Sequence, residues 1–134
     1  MTLVITAIVA SLTALMAIYF SWRVIKVRRA VRIGLGTDGN KALQIADRVH
    51  GNLLENAPVT LLLMLLAELA GLPMPYLVLL GMLWLLARVM HAVGLIRGEG
   101  GYHPGRFWGV LLTWGVIICL ALVNLALAVA QLVG

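Results

Sequence analysis

The sequence predicts an all-α fold: an integral membrane four-helix bundle that forms one domain over residues 1–134. Hydrophobic residues make up 63% of the 134 residues, and charged residues only 11%. The mean hydropathy of +1.05 is far above that of a soluble domain of this size. The apolar residues fall into four blocks that can each cross a bilayer, and nothing between the blocks is long enough for a second domain.

The four blocks set the expected helix boundaries. The predicted helices cover about residues 2–33, 41–71, 75–97 and 106–133. Helix one runs from an apolar block, Leu3 to Trp22, into a basic extension that ends near Gly34. No basic residue precedes this block and it is long enough to span, so we expect a transmembrane helix and not a signal peptide. Gly71 and Pro73 terminate helix two.

A polar stripe lies at the start of helix two. Arg48, Asn52 and Glu55 stand at i, i+4 and i+7, so their side chains point the same way from an otherwise apolar helix. Ionisable groups persist inside a membrane where they face the bundle interior or a water-filled cavity and find a partner. The stripe is therefore either a ligand site or a set of interhelical hydrogen bonds, and the stripe alone leaves both open.

The basic residues predict the orientation. They lie in or near the loops between helices one and two and between helices three and four, and Arg88 lies in the half of helix three that approaches the second loop. The positive-inside rule then places both termini away from the cytoplasm. Glu55 and Arg88 each lie about 12 Å inside the cytoplasmic ends of their helices. We expect them to pair, flanked by Asn52 and His91.

The chemistry of this cluster suits a small anionic ligand that also carries an amine, such as a peptide-like cofactor. Arginines bind carboxylates in bidentate geometry, and Glu55 can accept the amine. A guanidinium beside a thiol favours the thiolate. The three histidines have no metal-ligand spacing, which predicts no metal. The positive charge is accounted for by topology, so no nucleic-acid partner is expected.

Three motifs stand at the basic end of the predicted bundle. They are Arg48-x-His50-x-Asn52-xx-Glu55-xx-Pro58 in helix two, Arg88-xx-His91 in helix three, and Pro104-x-Arg106 at the start of helix four. Together they resemble the MAPEG family, the membrane-associated proteins in eicosanoid and glutathione metabolism. The resemblance covers nearly the whole chain, and the helix-two pattern is its specific part.

The resemblance implies a homotrimer in a membrane, expected to be a bacterial inner membrane, with glutathione as the cofactor bound between subunits at the cytoplasmic side. A hydrophobic small-molecule substrate would enter from the membrane lipid. The implied catalytic residue is Arg106, which lies against the glutathione thiol. The implied cofactor-binding residues are Arg28, Arg29, Arg48, His50, Asn52, Glu55, Arg88 and His91.

Two departures from the family pattern bear on the activity. The eicosanoid enzymes carry tyrosines where this chain has Leu95 and Val110, and only Tyr102 in the nearby loop offers a phenol. We therefore expect a glutathione transferase or peroxidase acting on hydrophobic electrophiles, not an eicosanoid synthase. The alternative is a non-catalytic lipid- or fatty-acid-binding membrane protein of the same fold. A third interpretation is a purely structural polar cluster.

Overall fold

The computed structural model describes residues 3–133 and confirms the predicted all-α, four-helix architecture. The helices are α1 (Val4–Val31), α2 (Lys41–Leu69), α3 (Met74–Arg97) and α4 (Pro104–Val133). All four are long and apolar enough to cross a membrane. The predicted start of helix one at residue 2 lies outside the described residues, as do residues 1 and 134 of the predicted domain.

Local backbone chemistry explains where two helices differ from the predicted bounds. α1 stops before Arg32 because that residue adopts a left-handed conformation with φ 57°. α4 begins at Pro104, two residues earlier than predicted. Proline suits a first helical position, where its missing N–H would have no partner anyway. His103 supports this start, since its Nδ1 accepts a hydrogen bond from the N–H of Gly105 at 3.1 Å.

The antiparallel helices form a bundle in which α2 and α3 are central. Each of these two packs against all three other helices, whereas α1 and α4 do not touch within the described chain. The closest approach is between α3 and α4. A Cβ at Gly94 would lie 2.0 Å from the backbone nitrogen of Arg106, and one at Gly109 would lie 2.6 Å from that of His91. Because Gly94 and Gly109 have no side chain, α3 and α4 approach closely, and the polar residues on their facing sides come together.

The two ends of the bundle differ in chemistry. One end carries the connections 32–40 and 98–103, and we call it the basic end because all ten lysines and arginines lie in the half of the bundle near it. Glu68 lies at the opposite end, where its carboxylate accepts hydrogen bonds from the N–H groups of Ile5 at 3.0 Å and Thr6 at 2.8 Å. α1 has no side-chain cap of its own, so a residue of α2 supplies one.

Glu68→Ala is expected to lower the free energy of unfolding by about 1–2 kcal/mol, because two N–H groups at the start of α1 lose their acceptor. Thermal unfolding in detergent measures the change. Glu99→Ala is the matched control, since Glu99 makes an exposed ion pair with Lys41 at 3.3 Å, and its loss should cost less than about 1 kcal/mol. Equal losses in the two variants would contradict the capping role.

Candidate functional site

The polar residues of three helices converge on Arg88 of α3, whose side chain is buried, with 2% exposure. Its guanidinium donates hydrogen bonds to Oδ1 of Asn52 at 2.7 Å, to the carbonyl oxygen of Gly109 at 3.3 Å, and to Oγ1 of Thr113. Asn52 lies on α2, and the other two acceptors lie on α4. Arg88 therefore connects α2, α3 and α4 near the middle of the bundle.

A tryptophan extends this network to α1. The Arg88 guanidinium lies over the ring of Trp84, one helical turn away, at 5.1 Å from the ring centroid. The fully buried Trp84 donates its indole N–H to Oγ1 of Thr13 on α1 at 3.0 Å. Sequence reasoning missed Trp84, Thr13 and Thr113. Trp84 could have been found from its i, i+4 spacing to Arg88, since residues four positions apart are neighbours on a helix.

Arg88 is a buried cation whose partners are all neutral in the described chain. Its Nε has no hydrogen-bond acceptor among residues 3–133. Removing a charge from water costs several kcal/mol unless hydrogen bonds or an opposite charge compensate it. The hydrogen-bonded acceptors and the Trp84 ring compensate Arg88 in part, and a nearby anion would add to that compensation. The site is thus electrostatically suited to a negatively charged group.

The predicted ion pair between Glu55 and Arg88 is wrong: the described residues form no salt bridge between them. Glu55 instead pairs with Arg48 on its own helix, through contacts of 3.0 and 3.3 Å. The two side chains are 56% and 58% exposed. The prediction assumed equal depths, but α2 begins at Lys41, so Glu55 lies about 21 Å along α2 and Arg88 only about 13 Å from the end of α3. The direction in which each side chain leaves α2 also differs. Asn52 faces Arg88, whereas Arg48 and Glu55 meet over Gly51 on the outer side.

The two predicted histidines have different surroundings. His91 follows Arg88 by one turn and is buried, with 5% exposure, in the close contact of α3 with Gly109. His50 is half-buried and stands about 200° around the helix from both Arg48 and Asn52. It therefore does not belong to the polar stripe. The geometry brings His91 to the Arg88 cluster and leaves His50 beside it.

Arg106 lies at the rim of the site, in the first turn of α4. Its Nη1 donates hydrogen bonds to the carbonyl oxygens of Gly100 at 2.7 Å and Gly101 at 3.1 Å. These bonds hold the loop between α3 and α4, so part of the guanidinium has a structural task. Its Nη2 and Nε make no hydrogen bond within the described chain, and this edge is available to a ligand.

The basic end of α1 is attached to the rest of the bundle through Arg28. This side chain donates a hydrogen bond to the carbonyl oxygen of Gly36 at 2.7 Å and lies 3.6 Å from the carboxylate of Asp47 on α2. Arg29 is exposed. Of the two arginines predicted at this position, Arg28 therefore stabilises the connection to α2, and Arg29 points a free charge outward.

Positions 95 and 110, where the family pattern has tyrosines, carry apolar side chains. Leu95 is buried, with 5% exposure, and Val110 is half-buried. Tyr102, the nearest candidate in the sequence, is 81% exposed and has its ring 6.5 Å from that of Phe107. Residues 3–133 also contain no group of three histidine, cysteine, aspartate or glutamate side chains that could hold a metal ion. The site chemistry of the described chain is that of arginines, an amide and hydroxyls, with the Glu55 carboxylate and the His91 imidazole beside them.

Four helices that can each cross a membrane, packed around a buried arginine and with the basic residues gathered at one end, define the class of a small multi-pass membrane protein with a buried polar cluster. The chain belongs to the MAPEG family, which matches residues 6–126, and the resemblance predicted from the sequence is confirmed. It is 33% identical over 125 residues to the inner membrane protein YecN of Escherichia coli (strain K12), with 90% of each chain covered. The same values hold for inner membrane protein YecN of Escherichia coli O6:H1 (strain CFT073). These relatives are named for their location and not for an activity.

Proposed function

We propose that this MAPEG protein is a membrane-bound glutathione-dependent transferase or peroxidase that acts on hydrophobic electrophiles. The observation that carries the proposal is the buried guanidinium of Arg88, which has only neutral partners in the described chain and lies beside the polar stripe of α2. Glutathione supplies two carboxylates, one amine and one thiol. The arginines and the single carboxylate of this site are complementary to that set.

The proposed site lies between subunits of a homotrimer. In the single chain, Arg48 and Glu55 are more than half exposed on the outer face of α2, at a depth where polar groups need partners. A neighbouring subunit would cover them. We place the basic end in the cytoplasm, both termini on the other side, and the protein in the inner membrane of a bacterium, as the basic loops and the names of the relatives favour.

Within this site the residues have separable tasks. Arg48 and the exposed Arg29 bind the glutathione carboxylates, and Glu55 accepts the amine. Arg88 holds Asn52 in place through the 2.7 Å hydrogen bond and contributes positive potential from the interior. The remaining predicted residues, Arg28, His50 and His91, shape the walls of the site.

Arg106 is the proposed catalytic residue. Glutathione bound here would supply the sulfur nucleophile. The free edge of the Arg106 guanidinium stabilises the thiolate after its proton passes to solvent. In conjugation, the sulfur–carbon bond forms and the leaving group departs with its electron pair. In peroxidase turnover, two glutathione molecules are oxidised to the disulfide, and a hydroperoxide is reduced to an alcohol and water.

A specific observation also favours the second candidate, a non-catalytic protein that binds a lipid or fatty acid. The two phenols of the eicosanoid enzymes are replaced by Leu95 and Val110. A groove of about 690 Å³ between α2 and α4 is lined mostly by apolar side chains, with the amides of Asn124 and Gln131 among them. The two candidates differ in one requirement, since only the enzyme needs thiol-dependent turnover.

Arg106→Ala is expected to lower the conjugation of reduced glutathione with chlorodinitrobenzene by about a hundredfold in kcat, because the thiolate loses its stabilising charge. The assay uses detergent-purified protein whose fold is checked by circular dichroism. Arg97→Ala is the matched control, as it removes an exposed arginine from the same end of the bundle without touching the polar cluster. Wild-type turnover in Arg106→Ala would refute the catalytic assignment, and no turnover in wild type would favour the lipid-binding candidate.

A further inference from the structure

Arg23 and Lys26 stand about one helical turn apart near the basic end of α1. Arg23 is half-buried and Lys26 is exposed, and neither makes a hydrogen bond or ion pair with residues 3–133. The Lys26 ammonium lies 5.4 Å from the centroid of the Trp22 ring. Arg28 and Arg106, by contrast, are held by carbonyl oxygens. Arg23 and Lys26 thus form a positive pair, next to aromatic side chains, whose hydrogen-bonding capacity is unused.

This pair stands where two grooves meet, since Tyr19 and Arg23 line both. The first groove, of about 270 Å³, runs between α1 and α3 and is otherwise apolar; its remaining lining is Met16, Phe20, Val89, Ala92, Val93 and Ile96. The second, of about 680 Å³, adds the ammonium of Lys26 to the guanidinium of Arg23; its remaining lining is Trp22, Val27, Ala30, Val31 and Ala42. A continuous surface therefore has an apolar half and a cationic half.

We propose that these two grooves form a binding site for one anionic phospholipid. The phosphate lies between the Arg23 guanidinium and the Lys26 ammonium, and one acyl chain lies along the α1–α3 groove. Arginine and lysine bind phosphate oxygens through charge-assisted hydrogen bonds, and Tyr19 and Trp22 suit the boundary between headgroup and hydrocarbon. A zwitterionic lipid leaves the two cations partly uncompensated, and a free phosphate leaves the apolar groove unfilled.

The proposed site is more specific than attraction of a basic segment to a negative surface. Diffuse attraction depends only on the number of nearby charges, so Arg32 and Arg97 would contribute as much to lipid binding as Arg23 and Lys26. Those two arginines are exposed at the same end of the bundle and line neither groove. The lipid site also shares no residue with the proposed glutathione site, so the test of one site does not depend on the other.

The test is native mass spectrometry of the detergent-purified protein, titrated with phosphatidylglycerol, phosphatidylcholine or glycerol phosphate. We expect phosphatidylglycerol to bind at least about tenfold more tightly than either comparator, since it alone uses both halves of the surface. The variant Arg23→Gln/Lys26→Gln should lose this preference. The charge-matched control Arg32→Gln/Arg97→Gln should keep it.

Four outcomes would overturn the proposal. Equal losses in the two double variants would show diffuse attraction, and glycerol phosphate or phosphatidylcholine binding as tightly as phosphatidylglycerol would show that only one half of the surface is used. Absence of lipid from wild type, with an altered oligomeric state in Arg23→Gln/Lys26→Gln, would show that a second copy covers the grooves. If that variant does not fold, Val93→Trp serves instead, because it fills the apolar groove from α3. Val93→Trp should remove the preference for phosphatidylglycerol over glycerol phosphate. An unchanged preference in this variant would contradict the site.

Discussion

Arg88→Met is expected to leave the ligand-free protein as stable as wild type, within about 1 kcal/mol, while weakening glutathione binding by about a hundredfold. The two effects separate because a buried charge is costly by itself and useful to a ligand. The flexible methionine side chain packs against the Trp84 ring that the guanidinium now covers. The loss in binding corresponds to about 2.7 kcal/mol, which we expect when Asn52 loses its anchor and the site loses the positive potential of the buried guanidinium.

The acceptors that Arg88→Met releases keep other partners, which is why stability is retained. Thr113 donates its hydroxyl to the carbonyl oxygen of Gly109 at 2.8 Å, and half-buried Asn52 is accessible to water. Thermal unfolding in detergent, with and without glutathione, measures both quantities. A loss of about 3–5 kcal/mol in the ligand-free protein would show that Arg88 is primarily structural. An unchanged glutathione effect would remove Arg88 from the site.

Gly94→Ala is expected to destabilise the protein by about 3 kcal/mol and to abolish turnover. The added Cβ would lie 2.0 Å from the backbone nitrogen of Arg106, which cannot move without displacing the start of α4. The separation of α3 and α4 would then increase at the depth where Arg106 and Gly109 face α3. The measurements are the thermal midpoint and the conjugation rate.

Gly115→Ala is the matched control for this change. Gly115 also lies within α4, but a Cβ there meets open space. Replacing a helical glycine by alanine without a clash should stabilise the protein by up to about 1 kcal/mol. If both variants lost the same stability, the close contact of α3 with α4 would not be what positions the site.

The number of helices and the basic end could be predicted from sequence because both depend on local composition. Four apolar blocks separated by short polar connections allow little besides four membrane-spanning helices. The spacing of Arg48, Asn52 and Glu55 likewise defined a polar stripe, since helical geometry relates residues a few positions apart. The family assignment followed from the same local spacing.

The partners of the polar groups could not be predicted, because they depend on how each helix is rotated about its axis. Asn52 faces Arg88, whereas Glu55, about one turn further along α2, lies on its outer side. The capping of α1 by Glu68 requires a contact across 62 positions of the chain, which local spacing does not reveal. The glycine contacts of α3 with α4 have the same origin, since small residues are common in membrane helices and spacing alone does not show which of them meet.

The most direct test of the glutathione site is the thermal stability of the detergent-purified protein across a titration with reduced glutathione, with oxidised glutathione and a fatty acid as comparators. A ligand that binds only the folded state adds about 2.7 kcal/mol at about one hundred times its Kd. Glu55→Gln removes an exposed ion pair, so its ligand-free stability should stay within about 1 kcal/mol of wild type. We predict a rise in the midpoint with reduced glutathione that Glu55→Gln abolishes. A fatty acid that raises the midpoint while reduced glutathione does not would contradict the glutathione site.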